Sequence, residues 1–252
     1  MLKLNKKVTF RFYEELNDFL PKEKKKRRFI HNYIDRVSVK DVIESLGVPH
    51  TEVDLILLNG NSVGFDYLIN NDDDLSVYPV FESLDISDVQ HLRATPLRKP
   101  KFVADVHLGR LTKYLRMMGF NVSYKNNFND DEIVGISLDE KRAILTKDRG
   151  ILKRNEVTHG YWVRSTKVKE QTVEILKRFD LKKQIKEFSR CIECNQLLIL
   201  VQKEKIADEL PTKVAQSQNK FYRCPSCKKL FWKGTHYHKM LSFIQSVKNF
   251  EF

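Results

Sequence analysis

Beyond residue 100 the chain alternates short apolar runs with helical patterns, and two of those runs stop at an acid. Phe102-Val103-Ala104 ends at Asp105, and "AILT" is followed, after Lys147, by Asp148. Between them lie a helical pattern over 108–118, the strand-like "FNVSY", and a second helical pattern over 131–140. "GYWVRS" and a helix through "VKEQTVEILKRF" follow. This alternation predicts an α/β unit over 98–182, a parallel sheet covered by helices. Ligands of such sheets bind beyond the carboxyl ends of the strands, where Asp105 and Asp148 are expected to stand. Asp130 and Asp131 open the second helix and are expected near the same rim.

Carboxylates gathered on one rim repel unless a cation joins them, and hard oxygen donors suit Mg²⁺ or Mn²⁺. The helix after Asp105 supplies the complementary charge. At 100° per residue, Leu108, Leu111, Leu115 and Met118 share one face, and Arg110, Lys113 and Arg116 the opposite one. Those cations, with Lys147 and Arg149 beside Asp148, are expected to hold a phosphodiester backbone. Each acid also has a purely structural use. Asp105 can cap the helix after it, Asp148 can serve the turn before Gly150, and Asp130 and Asp131 can favour a helix N-terminus opened by Asn129 and Glu132.

Residues 1–85 read as a separate α+β unit. "KVTFRFY" alternates as a strand, and "SVKDVIESLGVP" is a helix with Ser38 as N-cap. "DLILLNG" runs into an Asn59-Gly60 turn, and "DDDLSVYPVF" gives a last strand. The order resembles the ubiquitin-like sulfur carriers, which act through a terminal Gly-Gly. Here the strand continues into "ESLDISDVQHLRATPLRKP" without Gly-Gly, so sulfur transfer has no handle. "TPLRKP" is expected to be a linker. "KEKKKRR", Lys22 to Arg28, is a basic loop whose ordinary use is solvation.

All four cysteines sit in two CxxC pairs, Cys191/Cys194 and Cys224/Cys227, with 29 residues between Cys194 and Cys224. Each pair offers two thiolates from one turn, and two turns complete a tetrahedral, closed zinc site. A structural Zn²⁺ is therefore expected within 188–240, a segment poor in core-forming runs. Arg190, Arg223, Lys228 and Lys229 are placed to offset its charge, and Phe231 and Trp232 to form its core.

The net charge of +12 makes polyanions the default partners. No apolar run approaches membrane-span length, so no membrane partner is expected. The opening "MLKLNKKVTF" lacks the apolar segment of a signal peptide, which predicts a cytoplasmic protein.

The run "FVADVHLGRLTKYLRMMGFNVSY…DDEIVGIS…RAILTKDRGILKR…HGYWVR" resembles the Mut-seven C-terminal RNase domain family, a branch of the PIN-like nucleases. "FSRCIECNQLL" and "FYRCPSCKKLFWKGTHYHKM" resemble its zinc-ribbon extension, and the first unit the ubiquitin-like (β-grasp) domain that often precedes it. The resemblance implies a ribonuclease cutting single-stranded RNA with Mg²⁺ or Mn²⁺ held by clustered acids. Asp105 matches the acid of "ADxxLGxL" and Asp148 that of "LTxD". Asp130 fits the start of "DxEL", with Asp131 as the other choice. Thr146 matches the hydroxyl of "LTxD", which would orient Asp148 or a bound water. RNA is the implied partner, in a range that takes in ribosomes and tRNA, and the ubiquitin-like domain implies an adaptor for a protein partner the sequence does not name. The alternative is a non-catalytic RNA- or ribosome-binding protein built on the same PIN-like platform and ribbon.

Overall fold

Alternation of buried and outward side chains makes Lys6–Phe12 a strand, β1, whose Val8, Phe10 and Phe12 face a core. The computed structural model describes residues 6–79, 92 and 100–250. The expected linker before Pro100 lies outside them. After β1 come β2 (Phe29–Tyr33), α1 (Val39–Ser45), β3 (Val53–Leu58), β4 (Asn61–Ser62) and β5 (Asp74–Pro79). The sheet order is β2-β1-β5-β3-β4; β1 runs parallel to β5 and antiparallel to β2, and β3 antiparallel to β5. This mixed sheet, with a helix covering one face, is the ubiquitin-like arrangement.

Local chemistry explains its corners. The Ser38 hydroxyl accepts from the Asp41 N–H and starts α1. Asn59 and Gly60 both take positive φ, 48° and 89°, as the tight turn between β3 and β4 demands. The basic segment between β1 and β2 is a defined turn. Asn17, buried, donates to the Phe12 and Glu14 carbonyls, and its side-chain oxygen accepts from the Lys26 N–H at 2.6 Å. β2 was not visible in the sequence, because "FIHNY" is short and only weakly alternating.

The later elements are β6 (Lys101–Ala104), α2 (Gly109–Met117), β7 (Val122–Ser123), α3 (Asp130–Glu140), β8 (Arg142–Thr146), β9 (Gly160–Trp162) and α4 (Val168–Arg178). β7, β6 and β8 are parallel neighbours in that order, with Ala104 opposite Leu145. Phe102, Val103, Ala104 and all of β8 are buried, as expected of parallel strands covered on both faces. Leu111 and Leu115 bury the inner face of α2, and Met117 and Met118 at its end are also buried. α2 stops at Gly119, whose φ is +95°. A side chain there would collide with the Lys186 carbonyl, because the chain leading to the cysteines lies against this corner.

The last part holds β10 (Ile199–Val201), α5 (Thr212–Ser217), β11 (Phe221–Arg223), β12 (Leu230–Phe231) and α6 (Thr235–Lys248), with sheet order β10-β11-β12. Phe221, fully buried, centres the small core, and Trp232 packs toward it at 6.4 Å. Phe231 and Trp232, expected to form that core, are half-buried. α6 extends the chain beyond the expected ribbon boundary.

The chain divides into two compact units that do not follow chain order. Residues 1–99 join 148–162 in one, and residues 100–147 join 163–252 in the other. Within the first unit, the ubiquitin-like fold grips the segment 148–162. His50 lies between Glu44, 2.6 Å from Nδ1, and the Val157 carbonyl, 2.7 Å from Nε2. Glu52, only 1% exposed, accepts from the Trp162 N–H at 2.7 Å. Phe19 packs on the Trp162 ring at 5.1 Å. No helix of the described residues is long and apolar enough to cross a membrane.

Candidate active site and metal centre

Asp105 stands where β6 ends, and its 8% exposure makes it a largely buried carboxylate. Its backbone N–H donates to Leu145 at 2.9 Å, which extends the β6–β8 ladder by one residue. One carboxylate oxygen accepts from the Thr146 hydroxyl at 2.8 Å and, more distantly, from the Lys147 N–H at 3.4 Å. The other receives the His107 N–H at 3.4 Å, the capping contact of the short turn Val106–Leu108. Thr146 is buried at the end of β8, so a hydroxyl and an amide from the neighbouring strand fix the carboxylate's orientation. A carboxyl group is thus held at the carboxyl edge of the parallel strands, where ligands bind in folds of this class.

The other acids are placed differently. Asp130 and Asp131 are exposed in the first turn of α3, which Asn129 and Glu132 close with a reciprocal capping box. Asp148 is exposed and accepts from the Gly150 N–H at 2.7 Å. It begins the segment that belongs to the first compact unit, whereas Asp105 and Thr146 belong to the second. Among the described residues, the four cysteines are the one group of three or more metal-ligating side chains whose donor atoms lie within 4.8 Å of one another.

One expectation for the basic stripe needs correction. Arg116 is 4% exposed and does not face solvent with Arg110 and Lys113. Its guanidinium donates to the Val122 carbonyl at 3.0 and 2.8 Å and to the carbonyls of Ile192 and Glu193. Helical periodicity put it opposite the leucines, but the cysteine-bearing chain covers that side of α2. Burial depresses its pKa, and the nearby cysteines and Glu193 offset part of that fall. Arg110 and Lys113 remain exposed, the latter 3.7 Å from Glu193. Lys147 turns its ammonium to the carbonyls of Arg164 and Ser165. Glu174, from α4, accepts from the N–H groups of the same two residues, so both ends of that turn are satisfied. Arg149 lies over the Trp162 ring, 5.0 Å from its centre.

The cysteine centre is built twice from one local pattern. The Cys191 N–H donates to Gln196, and the Asn195 N–H returns to Cys191. The Cys224 N–H donates to Lys229, and the Lys228 N–H returns to Cys224. Asn195 and Lys228, each directly after a CxxC, take left-handed φ of 71° and 62°. The two turns bring Cys191 Sγ within 3.6 Å of Cys227 Sγ and Cys194 Sγ within 3.2 Å of Cys224 Sγ. A tetrahedral zinc with bonds of about 2.3 Å holds its sulfurs roughly 3.8 Å apart. The four sulfurs therefore fit a zinc ion.

Backbone N–H groups of Glu193 and Cys194 face the Cys191 sulfur, and those of Ser226 and Cys227 face Cys224. In the metal-free state burial pushes the Cys191 thiol up to about 12 and also raises Cys224. Burial acts the same way on Cys194, but hydrogen bonds from the Cys224 thiol and the Gln196 N–H outweigh it and bring Cys194 down to about 6. Zinc, which takes thiolates, supplies the charge that these buried sulfurs otherwise lack.

The first turn is fastened to the α2–β7 corner. Besides Arg116, Arg190 donates to the Gly119 and Asn195 carbonyls, and Asn195 accepts from the Val122 N–H while donating to Asn121. The sequence singled out Arg190 for charge alone and passed over Asn195. Its signal was the Asn directly after a CxxC, the residue type best suited to left-handed φ after glycine.

No curated protein and no solved structure matches the chain. Two family models do: the Mut7-C ubiquitin over residues 5–85 and the Mut7-C RNAse domain over 100–244. The second match runs from β6 through both cysteine turns into α6. By these matches the chain belongs to the Mut7-C RNAse domain family, with a Mut7-C ubiquitin domain ahead of the nuclease-type fold.

Proposed function

We propose that the protein is a Mg²⁺- or Mn²⁺-dependent ribonuclease acting on single-stranded RNA. The observation that carries the proposal is Asp105, a buried carboxylate fixed by Thr146 at the strand edge of a chain in an RNAse domain family. Asp105 and Asp148 would hold the divalent ion, with Asp130 or Asp131 contributing from α3. A bound divalent ion would polarise the phosphate and lower the pKa of an attacking water. Thr146 and the Lys147 N–H keep one Asp105 oxygen oriented, which leaves the carboxylate's remaining lone pairs available as hard donors. Arg110 and Lys113 would draw the RNA backbone to this edge. The zinc site, with no open coordination position, would brace the fold rather than take part in chemistry.

The test uses zinc-loaded protein freed of other divalent ions by exchange, since a strong chelator would also strip the ribbon. Labelled single-stranded RNA is incubated before and after Mn²⁺ addition. Mn²⁺-dependent cleavage that Asp105→Asn and Asp148→Asn each abolish supports the proposal. Undiminished cleavage by both variants overturns it, and RNA binding without cleavage identifies a non-catalytic RNA-binding protein.

A further inference from the structure

The ubiquitin-like domain carries the densest charge in the chain. Six of the seven residues from Lys22 to Arg28 are cationic, with Glu23 the exception. The turn that bears them is ordered by the buried Asn17 amide, and Lys26 occupies left-handed backbone at φ 56°. Arg28 pairs with Asp74. Among the described residues Lys22, Lys24, Lys25, Lys26 and Arg27 have no carboxylate within ion-pair distance, and none of the five is buried. Lys24 rests its ammonium over the Phe29 ring, 5.1 Å from its centre. A neighbouring side chain registers the resulting field. His31, half-buried on β2, has its pKa lowered first by burial and then by the Lys24 charge.

Five cations without a carboxylate partner on one ordered turn concentrate positive charge, and the fold gains nothing from their mutual repulsion. The buried Asn17 amide holds the backbone that carries them, so the charge stays gathered on one turn. We propose that this turn is a docking site for the phosphodiester backbone of single-stranded RNA. Successive lysines present compact point charges with no buried apolar residue between them, which suits evenly spaced phosphates better than a particular peptide sequence. The proposal gives the ubiquitin-like domain a task, tethering the polymer, and rests on RNA being the polymer the chain acts on.

The test measures affinity for a short fluorescent single-stranded RNA by anisotropy, on full-length zinc-loaded protein without Mg²⁺ or Mn²⁺. Salt is varied between about 50 and 200 mM. The variant combines Lys22→Gln, Lys24→Gln, Lys25→Gln and Arg27→Gln; Lys26 stays, because its backbone is strained. Loss of four contacts reduces the slope of log affinity against log salt by roughly 3, at about 0.7 per phosphate. At the higher salt the affinity falls about 10-fold or more. A second variant, Lys22→Arg with Lys24→Arg and Lys25→Arg, keeps wild-type binding. An unchanged slope and affinity in the glutamine variant overturns the proposal, as does a wild-type protein that fails to bind RNA. Competition by polyglutamate as effective as RNA at equal charge also overturns it, in favour of an acidic protein. A protein that binds through the turn but never cleaves sinks the ribonuclease proposal alone, and one that cleaves with an unaltered slope sinks only the turn.

Discussion

The cysteine centre and the Asp105 edge are both candidate metal sites, yet the chain builds them by opposite means. Each cysteine turn is made within about six residues, closed by its own backbone hydrogen bonds and aimed by its own N–H groups. Tertiary structure then brings the two turns together and fastens the first to the α2–β7 corner. Asp105 depends on tertiary structure throughout. Its hydroxyl partner lies on another strand. A site assembled locally survives small shifts of the fold, whereas one assembled from strand ends is sensitive to everything that places those ends.

That contrast can be broken or sharpened by measurement. The largest effect is expected at the cysteines. Structural zinc contributes on the order of 10 kcal/mol in small zinc modules. Cys224→Ser should therefore release zinc and expose the amides of 188–233 to hydrogen exchange while residues 6–79 stay protected. Retained zinc and protection would mean that the ribbon folds without a complete ligand set. Asp105→Asn should lower Mn²⁺-dependent cleavage about 10³-fold, roughly 4 kcal/mol in the barrier, with an almost unchanged melting temperature. A large loss of melting temperature instead would make Asp105 a structural cap.

Arg116→Met should cost about 2–4 kcal/mol of stability, since three carbonyls lose a buried charged donor. Arg110→Gln, earlier in the same helix and exposed, should change stability by no more than about 0.5 kcal/mol and weaken RNA binding. Equal stability losses in the two variants, read from denaturant midpoints, would contradict the docking role of Arg116. A smaller loss of cleavage than that of Asp105→Asn is expected for Thr146→Val, which keeps shape but removes the hydroxyl. Cleavage should fall about 10-fold, with the apparent Mn²⁺ requirement raised. A variant with wild-type rate at every Mn²⁺ concentration would show that Asp105 needs no orienting hydroxyl.

Much of this was legible in one dimension because the governing physics is local. Ser38 and Asn129 cap where the sequence places them, Asn59-Gly60 turns the chain, and the CxxC pairs converge. The leucine face of α2 follows from helical period alone. What escaped was decided at longer range. The period put Arg116 on the polar side of α2, but nothing in it tells that residues 192 and 193 would cover that side. Lys147 looked like a border charge and instead shares a turn with Glu174 from α4. β2 was hidden because its stability comes from pairing with β1 and from the stack of Phe29 on Phe12 and Phe10, none of which its own five residues announce.

The grip of the ubiquitin-like fold on residues 148–162 bears on how the molecule is born. During synthesis the first strands leave the ribosome long before Trp162 exists, so Glu52 and His50 wait in water for partners roughly a hundred residues behind them. A gene cut at the border between the two family matches would make that wait permanent. Each half would then carry an open seam into the cell, and reconstitution by mixing the halves would have to rejoin it without the covalent tether.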